Sequence, residues 1–234
     1  MENNESGVLI IDKPKDITSS RVVSIVKRTI CAKKVGHAGT LDPIATGVLI
    51  CCINNATKLS SQFLQSNKIY EAVLHLGIET DTQDLTGKIT GECRVPELTE
   101  NKITNVFKSF EGEGEQIPPI YSALKHNGVP LYKLARKGIA IQKEKRRIFL
   151  KNINVISIDL PYIKFEVECS GGTYIRTLCS DIGKKLDCLG HMKELKRTMA
   201  GGFFTREAIT LEELKQFYNN GTWTQKLVKT FSNK

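Results

Sequence analysis

The residues best suited to chemistry lie in one glycine-rich segment near the start of the chain. Between Gly36 and Gly47 the sequence places one imidazole, His37, and one carboxylate, Asp42, among three glycines and a proline. Glycine lets a backbone approach a ligand closely, and loops carry a large share of catalytic groups. Asp42 is therefore the candidate catalytic carboxylate. The alternative is structural, because Asp followed by Pro is typical of a helix N-terminus, and spacing alone favours that alternative.

Other reaction types need groups that the sequence does not place beside Asp42. A glycosidase needs two carboxylates flanking the bond, and no second acid lies near Asp42 along the chain, although the fold could supply one. Seven cysteines without a C-x-x-C pair argue against a zinc site or a disulfide framework. A P-loop is excluded because the Gly-Lys-Ser/Thr ending is missing. Metal-ligand clustering is also missing, since the histidines are widely scattered: His37, His75, His126 and His191. The sequence therefore remains compatible with a metal-free catalytic role for the single carboxylate of Asp42.

Hydrophobic periodicity predicts the elements that position this segment. Val22, Val26 and Ile30 have helical spacing after capping candidates at 18–20, which predicts a helix leading into the glycine-rich segment. Alternating apolar residues predict strands over 70–76 and 163–169, and β-branched residues predict another over 148–158.

The remaining helices are predicted from spacing and capping signals. Apolar residues predict one helix at 103–110 and another from Ile175 to Leu186, after a glycine turn. Thr210 and Glu213 form a capping box that opens a short helix. Segment 113–119 is predicted to be a loop, and the last residues a basic tail. Because strands and helices alternate irregularly and no Rossmann fingerprint occurs, the fold class is predicted to be α+β.

Composition points to a polyanionic partner. The chain has 234 residues, the size of one domain, with 34 Lys and Arg against 25 Asp and Glu, a net charge of +9. No apolar run approaches the roughly 20 residues of a membrane span, and the N-terminus lacks signal-peptide features, so a cytoplasmic protein is expected. Residues 79–115 are rich in acids and are expected to face away from phosphate, whereas 124–151 hold nine basic residues against Glu144 alone. The basic stretch, with Tyr121, His126 and Tyr132 in or beside it, suits a nucleic-acid backbone and exposed bases, although a solvated basic face is the alternative.

Several motifs together resemble one family. The stretch from Gly36 to Leu49 closely resembles the catalytic motif of the bacterial TruB-type tRNA pseudouridine synthases. Four further segments, in the family's order, resemble its first motif, its tyrosine strand, its RNA-gripping region and its arginine motif: 13–19, 68–71, 116–138 and 172–178. The resemblance extends from about residue 7 to residue 214. Asp16 departs from it, because the family usually has glycine there, which puts the local turn in doubt.

The resemblance implies a concrete function and fold. Such enzymes flip uridine 55 out of the tRNA T loop and isomerise it to pseudouridine without a metal or organic cofactor. The implied fold is the pseudouridine synthase fold, with a mixed, mainly antiparallel central sheet flanked by helices and loops. Asp42 would be the nucleophile, Tyr70 would lie against the target base, and Arg176 would pair with the Asp42 carboxylate. The implied substrate-binding residues, besides Tyr70, are His37, Tyr174 and Leu195.

The resemblance also predicts how the chain is organised. A catalytic domain would span 1–209, with an RNA-gripping thumb at about 121–151, and 210–234 would form a short helix and tail without a complete C-terminal PUA domain. We therefore expect reduced contacts with the acceptor stem of tRNA. We also expect the T-arm hairpin alone to be a nearly complete substrate. The implied partner is the T arm of tRNA, with no membrane, and the protein is expected to be a monomer. The expected RNA-backbone contacts are Lys125, Lys133, Arg136, Lys137, Arg146 and Arg147. The alternative function is that of an RNA-binding or tRNA-folding factor of the same fold whose catalysis is secondary or lost.

Overall fold

A computed structural model describes residues 3–139, 141 and 143–229. Within them the chain forms two compact units: unit 1 contains the described residues of Met1–Ile69 and Lys196–Lys234, and unit 2 is the described part of Tyr70–Leu195. Residues 140 and 142 of the predicted thumb, and 230–234 of the predicted tail, lie outside the described residues. The predicted domain boundary at residue 210 is not one of the two unit boundaries.

Unit 1 combines long antiparallel pairing with a short parallel contact between two strands. Strand β1 lies antiparallel to β3 over its full length, from Gly7 opposite Ile53 to Lys13 opposite Gly47. The end of β12 runs parallel to the start of β3, and β2 pairs antiparallel with β3. The elements of this unit are β1 (Gly7–Lys13), α1 (Ser19–Thr29), β2 (Val35–His37), β3 (Thr46–Ile53), α2 (Ser60–Gln65), the end of β12 (Gly190–Ala200), β13 (Phe203–Phe204), α6 (Leu211–Asn219) and 3₁₀ turns at Asn54–Leu59, Thr205–Glu207 and Trp223–Lys226.

The strands of unit 1 are apolar on both faces because both faces are covered. Alternate residues of β1 and β3 point into two separate clusters of buried side chains. One cluster packs Leu9 and Leu49 against Val22 of α1, and the other packs Ile10 and Ile50 beside Ala38. The strand that follows the glycine-rich segment is therefore fixed by core packing on both sides.

The predicted capping signals of unit 1 are confirmed, and the predicted tail is not. Helix α1 begins after Thr18, whose hydroxyl accepts from the Arg21 amide at 3.1 Å, and the capping box of Thr210 and Glu213 opens α6. Residues 223–228 are not a free basic tail, because Trp223 is buried in the core and the Val8 and Val228 backbones exchange two hydrogen bonds. Burial of an indole ring outweighs the local charge.

Unit 2 contains a four-stranded sheet segment in the order β4, β11, β10, β7, of which the β11–β10 and β10–β7 pairs are antiparallel. Helix α3 packs on this sheet, with the rings of Phe107 and Phe165 in edge contact at 5.2 Å. The elements of this unit are most of β4 (Lys68–Leu76), β5 (Ile78–Thr80), β6 (Ile89–Glu92), α3 (Glu100–Lys108), β7 (Gly112–Gln116), β8 (Lys125–His126), β9 (Val129–Pro130), α4 (Leu131–Ala135), β10 (Arg146–Asp159), β11 (Tyr162–Cys169), α5 (Ile175–Lys185) and the start of β12.

The periodic segments of unit 2 form the predicted elements, and one non-periodic segment does not. Strands β4, β10 and β11 and helices α3 and α5 match the predictions within a few residues. The predicted loop at 113–119 is wrong in its first half, because residues 112–116 form β7 and pair with β10. The sequence Gly-Glu-Gly-Glu-Gln has no alternating apolar residues, so backbone hydrogen bonds with a distant strand decide its conformation.

The fold class agrees with the prediction. Strands and helices are mixed, and the sheet pairing is mainly antiparallel, with the contact between β3 and β12 as a parallel exception. Among the described residues, no helix has the length and apolar character that a bilayer crossing requires.

The doubtful turn at Asp16 leads to a stability prediction. Asp16 has φ +67°, in the left-handed region, and its amide donates to the Pro43 carbonyl at 2.8 Å. Glycine adopts this region freely, whereas alanine is less stable there by about 1 kcal/mol. We therefore expect Asp16→Gly to have a free energy of unfolding about 1 kcal/mol above that of Asp16→Ala in urea titrations. Both variants lose the carboxylate, so equal stabilities would contradict a left-handed turn.

Candidate active site

Asp42 lies in a turn and not at the start of a helix. The backbone from 38 to 45 is irregular, and the Ala45 amide closes the turn by donating to the Asp42 carbonyl at 3.0 Å. The helix-capping interpretation of Asp42-Pro43 is therefore wrong. The Asp42 side chain is half-buried, on a loop whose two ends are the strands β2 and β3. An aspartate that caps no helix is available for chemistry.

The first motif of the sequence holds this loop in place. The hydroxyl of buried Ser19, the first residue of α1, accepts from the Leu41 amide at 2.9 Å and lies 3.1 Å from the Leu41 carbonyl, to which it donates. Asp16 donates its amide to the Pro43 carbonyl. Residues on both sides of Asp42 are therefore bonded to the segment 16–19.

Lys13 is a buried cation beside the same loop. Its side chain is 0% exposed, and Nζ donates to the carbonyls of Pro14, Ile17 and Pro43 at 2.9, 2.8 and 3.2 Å. Burial lowers the pKa of Lys13 to about 8, while the charges of Asp16 and Asp42 oppose that shift. The buried ammonium of Lys13 therefore places a positive charge close to the carboxylate of the candidate nucleophile.

Arg197 is a second buried cation, one that the sequence motifs do not indicate. It is 1% exposed, and its guanidinium donates from Nε to the Val48 carbonyl at 2.7 Å and from Nη2 to the Gly39 carbonyl at 3.0 Å. The signal that could have identified it is weak: an arginine in a strand where buried positions are expected to be apolar.

His37 ends strand β2 and is half-buried. Burial lowers the pKa of the imidazole, and the nearby positive charge of Arg197 lowers it further. His37 is therefore neutral at neutral pH, with one ring nitrogen able to donate and the other able to accept a hydrogen bond.

In unit 2, Arg176 is fixed near the start of α5 by a buried acid. Arg176 is 5% exposed; Nη2 donates to the Tyr121 carbonyl at 2.7 Å, and Nη1 lies 3.8 Å from Oδ2 of buried Asp84. The other carboxylate oxygen of Asp84 accepts from the Thr82 hydroxyl at 2.8 Å and from the Thr86 amide at 2.9 Å and hydroxyl at 2.6 Å. These bonds turn Oδ2 toward the guanidinium.

Asp84 is thus a site residue that sequence reasoning missed. It counted among the acids of 79–115, a stretch expected to face away from phosphate, yet it is buried against the arginine of the predicted site. Its threonine neighbours are a weak signal, since short polar residues of this kind are also common in ordinary turns.

The other predicted substrate-binding residues of unit 2 lie on three different elements. Tyr174 precedes α5, and its backbone exchanges two hydrogen bonds with the buried side chain of Gln116, at 2.8 and 3.0 Å. Tyr70 lies on β4 and is 8% exposed, and Leu195 lies half-buried on β12. Arg176 belongs to unit 2 and Asp42 to unit 1, and their predicted pairing stays a prediction.

The six predicted RNA-backbone residues are all exposed at the surface. They lie on the β8–β9 hairpin, on or just after α4, and at the start of β10: Lys125, Lys133, Arg136, Lys137, Arg146 and Arg147. A side chain must be exposed at the protein surface to contact a phosphate of the RNA backbone. Among the described residues, no group of three or more His, Cys, Asp or Glu side chains has the arrangement of a metal site.

The expected separation of acidic and basic stretches is incomplete. Arg147 of β10 is paired across the ladder with Glu115 of β7, and Lys145 lies 3.5 Å from the same carboxylate. Successive strand residues point to opposite faces, so Arg146 lies on the other side of β10. The end of the acidic stretch 79–115 is therefore not remote from the predicted RNA contacts.

Family models match nearly the whole chain. Residues 27–175 match the TruB family pseudouridylate synthase N-terminal domain, and residues 176–231 match the tRNA pseudouridylate synthase B C-terminal domain. The tRNA pseudouridine synthase B of Clostridium kluyveri is 49% identical over 208 residues, which cover 89% of this chain and 72% of that protein. The protein of the same name from Syntrophotalea carbinolica is 45% identical over 210 residues, covering 90% and 69%.

Solved structures show the same fold. A chain in the crystal structure of a Cbf5-Nop10-Gar1 complex is 32% identical, with a TM-score of 0.76, over 95% of this chain and 60% of that one. A chain in the structure of an H/ACA RNP bound to a substrate RNA containing 2′-deoxyuridine has a TM-score of 0.70 and 30% identity, over 95% and 58%. This chain thus spans about three fifths of both. Sequence motifs, matched domains and fold agree, and the chain belongs to the TruB family of pseudouridylate synthases.

Proposed function

We propose that the protein isomerises uridine 55 in the T loop of tRNA to pseudouridine, with Asp42 as the nucleophile. The N1–C1′ glycosidic bond breaks, a C5–C1′ bond forms, the proton on C5 is lost and N1 gains a proton. The observation that carries the proposal is the loop of Asp42, which holds a half-buried carboxylate outside any helix and beside the buried ammonium of Lys13. The curated relatives, named tRNA pseudouridine synthase B, support the substrate.

The remaining site residues bind the flipped nucleotide in this proposal. A base in a folded loop must leave its stack before it can react, and an aromatic ring replaces part of the lost stacking. Tyr70 supplies that ring, Tyr174 and Leu195 line the pocket, and neutral His37 holds the opened T loop. Arg176 pairs with Asp42 and keeps the carboxylate ionised when RNA covers it. Asp84 fixes the direction of that guanidinium through the 3.8 Å contact.

The basic surface residues of 121–151 bind the backbone of the T arm, which predicts a difference between two arginines. Each phosphate contact releases counterions, so Arg136→Ala should reduce the slope of log affinity against log salt concentration by about 0.7 to 0.9. Arg147→Ala should reduce it by less than half as much, because Arg147 lies directly opposite Glu115 on the neighbouring strand, where a phosphate would be repelled by that carboxylate. Filter binding of T-arm RNA between low and moderate salt measures both slopes. If the slope changed more in Arg147→Ala than in Arg136→Ala, the predicted difference between the two arginines would be wrong.

We further propose that the protein works as a cytoplasmic monomer on tRNA and needs no cofactor. Its catalytic domain spans 1–209, with the thumb at about 121–151, and 210–234 form an appended segment. The buried thiols of Cys51, Cys52 and Cys179, which form no disulfide, are consistent with a reducing compartment.

Tritium release tests the function directly. A tRNA transcript labelled with tritium at uridine C5 should release one equivalent to solvent when incubated with the protein, because C5 loses its hydrogen in the reaction. The control transcript has cytidine at position 55 and tritium in its other uridines, and it should release none. Tight binding without release would favour the RNA-binding factor, and release from the control would move the target to another uridine.

A further inference from the structure

Arg197 joins the two ends of the loop that carries Asp42. Its Nη2 donates to the carbonyl of Gly39, three residues before Asp42, and its Nε donates to the carbonyl of Val48, six residues after it. A guanidinium is a planar fork with fixed donor directions, so these two bonds fix the separation and the orientation of both loop ends. A lysine ammonium is a compact point charge at the end of a flexible stem and cannot reproduce this geometry.

The backbone of Arg197 is locked to the same loop. Arg197 pairs with Gly47 in the parallel contact between β12 and β3. Gly47 has φ +95°, and a Cβ built there would lie 2.2 Å from the Arg197 carbonyl oxygen. Strand β12 is therefore in close backbone contact with β3 at the end of the loop. This contact fixes the backbone of Arg197 and so the direction in which its side chain leaves the strand.

Arg197 is also electrostatically close to the groups around Asp42. Its charge lowers the pKa of both Lys13 and His37, after the larger effect of burial in each case. Lys13 binds the Pro43 carbonyl directly after Asp42. The two buried cations therefore hold different points of one loop: Lys13 holds its middle, and Arg197 holds its ends.

We infer that Arg197 is a positioning residue that sets the geometry of the Asp42 carboxylate for attack, without touching the substrate. The inference rests on the proposed role of Asp42 as nucleophile. Displacements of about 1 Å in a reacting group can cost on the order of 100-fold in rate. Because Arg197 is buried beneath the loop and cannot contact RNA itself, its replacement slows the chemical step and leaves RNA affinity unchanged.

The test separates binding from chemistry in Arg197→Lys, which keeps the positive charge and loses the fork. We expect the single-turnover rate of tritium release at saturating protein to fall at least about 30-fold, with the Kd for T-arm RNA within about threefold of wild type. Lys196→Gln, a neighbour on the same strand whose side chain is exposed, is the matched control and should keep the wild-type rate. A folded Arg197→Lys protein with the wild-type rate, or with a loss confined to Kd, overturns the inference.

A second variant covers the case in which Arg197→Lys does not fold. A Cβ at Gly39 would lie 3.3 Å from Nη1 of Arg197, and the other atom of the described residues within 4 Å, chain neighbours apart, is Cζ of the same guanidinium. Gly39→Ala therefore presses on this guanidinium, in addition to straining the backbone at φ +98°. Gly202→Ala has a similar φ and open space around it, so it controls for backbone strain. We expect Gly39→Ala to react at least about tenfold more slowly than Gly202→Ala, and equal rates overturn the inference. Asp42→Asn, assayed in parallel, shows separately whether the proposed nucleophile is correct.

Discussion

Asp42→Asn should reduce the rate of tritium release from uridine C5 by at least about 10⁴-fold while T-arm binding changes by less than about threefold. An amide has nearly the same size as a carboxylate but is a far weaker nucleophile, so the covalent step is lost. The backbone turn at Ala45 and the bonds of Ser19 to Leu41 do not involve the Asp42 side chain. The variant should therefore fold with the loop intact.

Single-turnover kinetics and anisotropy binding with labelled T-arm RNA measure the two quantities separately. Asp12→Asn is a suitable control, since Asp12 is a half-buried carboxylate on β1 of the same unit and has no assigned role. Release that persisted in Asp42→Asn would exclude Asp42 as the nucleophile. A fall in binding that matched the fall in rate would show that Asp42 acts through RNA affinity.

Gly47→Ala should lower the free energy of unfolding by at least about 3 kcal/mol or prevent folding altogether. Two costs add: alanine is strained at φ +95°, and its Cβ would lie 2.2 Å from the Arg197 carbonyl oxygen, a backbone atom that cannot rotate away. The strands β3 and β12 must separate to make room. Because β3 is buried on both faces, that separation disturbs both core clusters of unit 1.

Urea unfolding followed by circular dichroism gives the free energies, with Gly221→Ala as the matched control. Gly221 also has a positive φ, +70°, but a Cβ there has no atom of the described residues within 4 Å. Its substitution should cost about 1 kcal/mol, the strain of the left-handed region alone. A Gly47→Ala protein as stable as Gly221→Ala would show that β3 and β12 are not in close contact at this position.

The sequence alone determined those parts of the protein that depend on neighbours in the chain. The helix α1 with its Thr18 cap, the capping box of α6, and the alternating strands β4 and β11 all follow from local periodicity and local hydrogen bonds. The candidate nucleophile and the family resemblance were also recognisable, because the glycine-rich segment and the other motifs are continuous stretches. What local spacing suggested for Asp42, a helix cap, was nevertheless wrong.

Only the tertiary structure decided which distant residues support these motifs. Gln116 reaches the backbone of Tyr174 across 58 positions, and Arg197 reaches Gly39 across 158. Asp84 is one acid of a stretch that was expected to face away from phosphate, and it is buried beside Arg176. Segment 112–116 became a strand by pairing with β10, although its own sequence lacks strand character. The physical reason is the same in each case: a buried charge or backbone group must find a partner, and the partner is set by how the strands are arranged and not by the residues next to it in sequence.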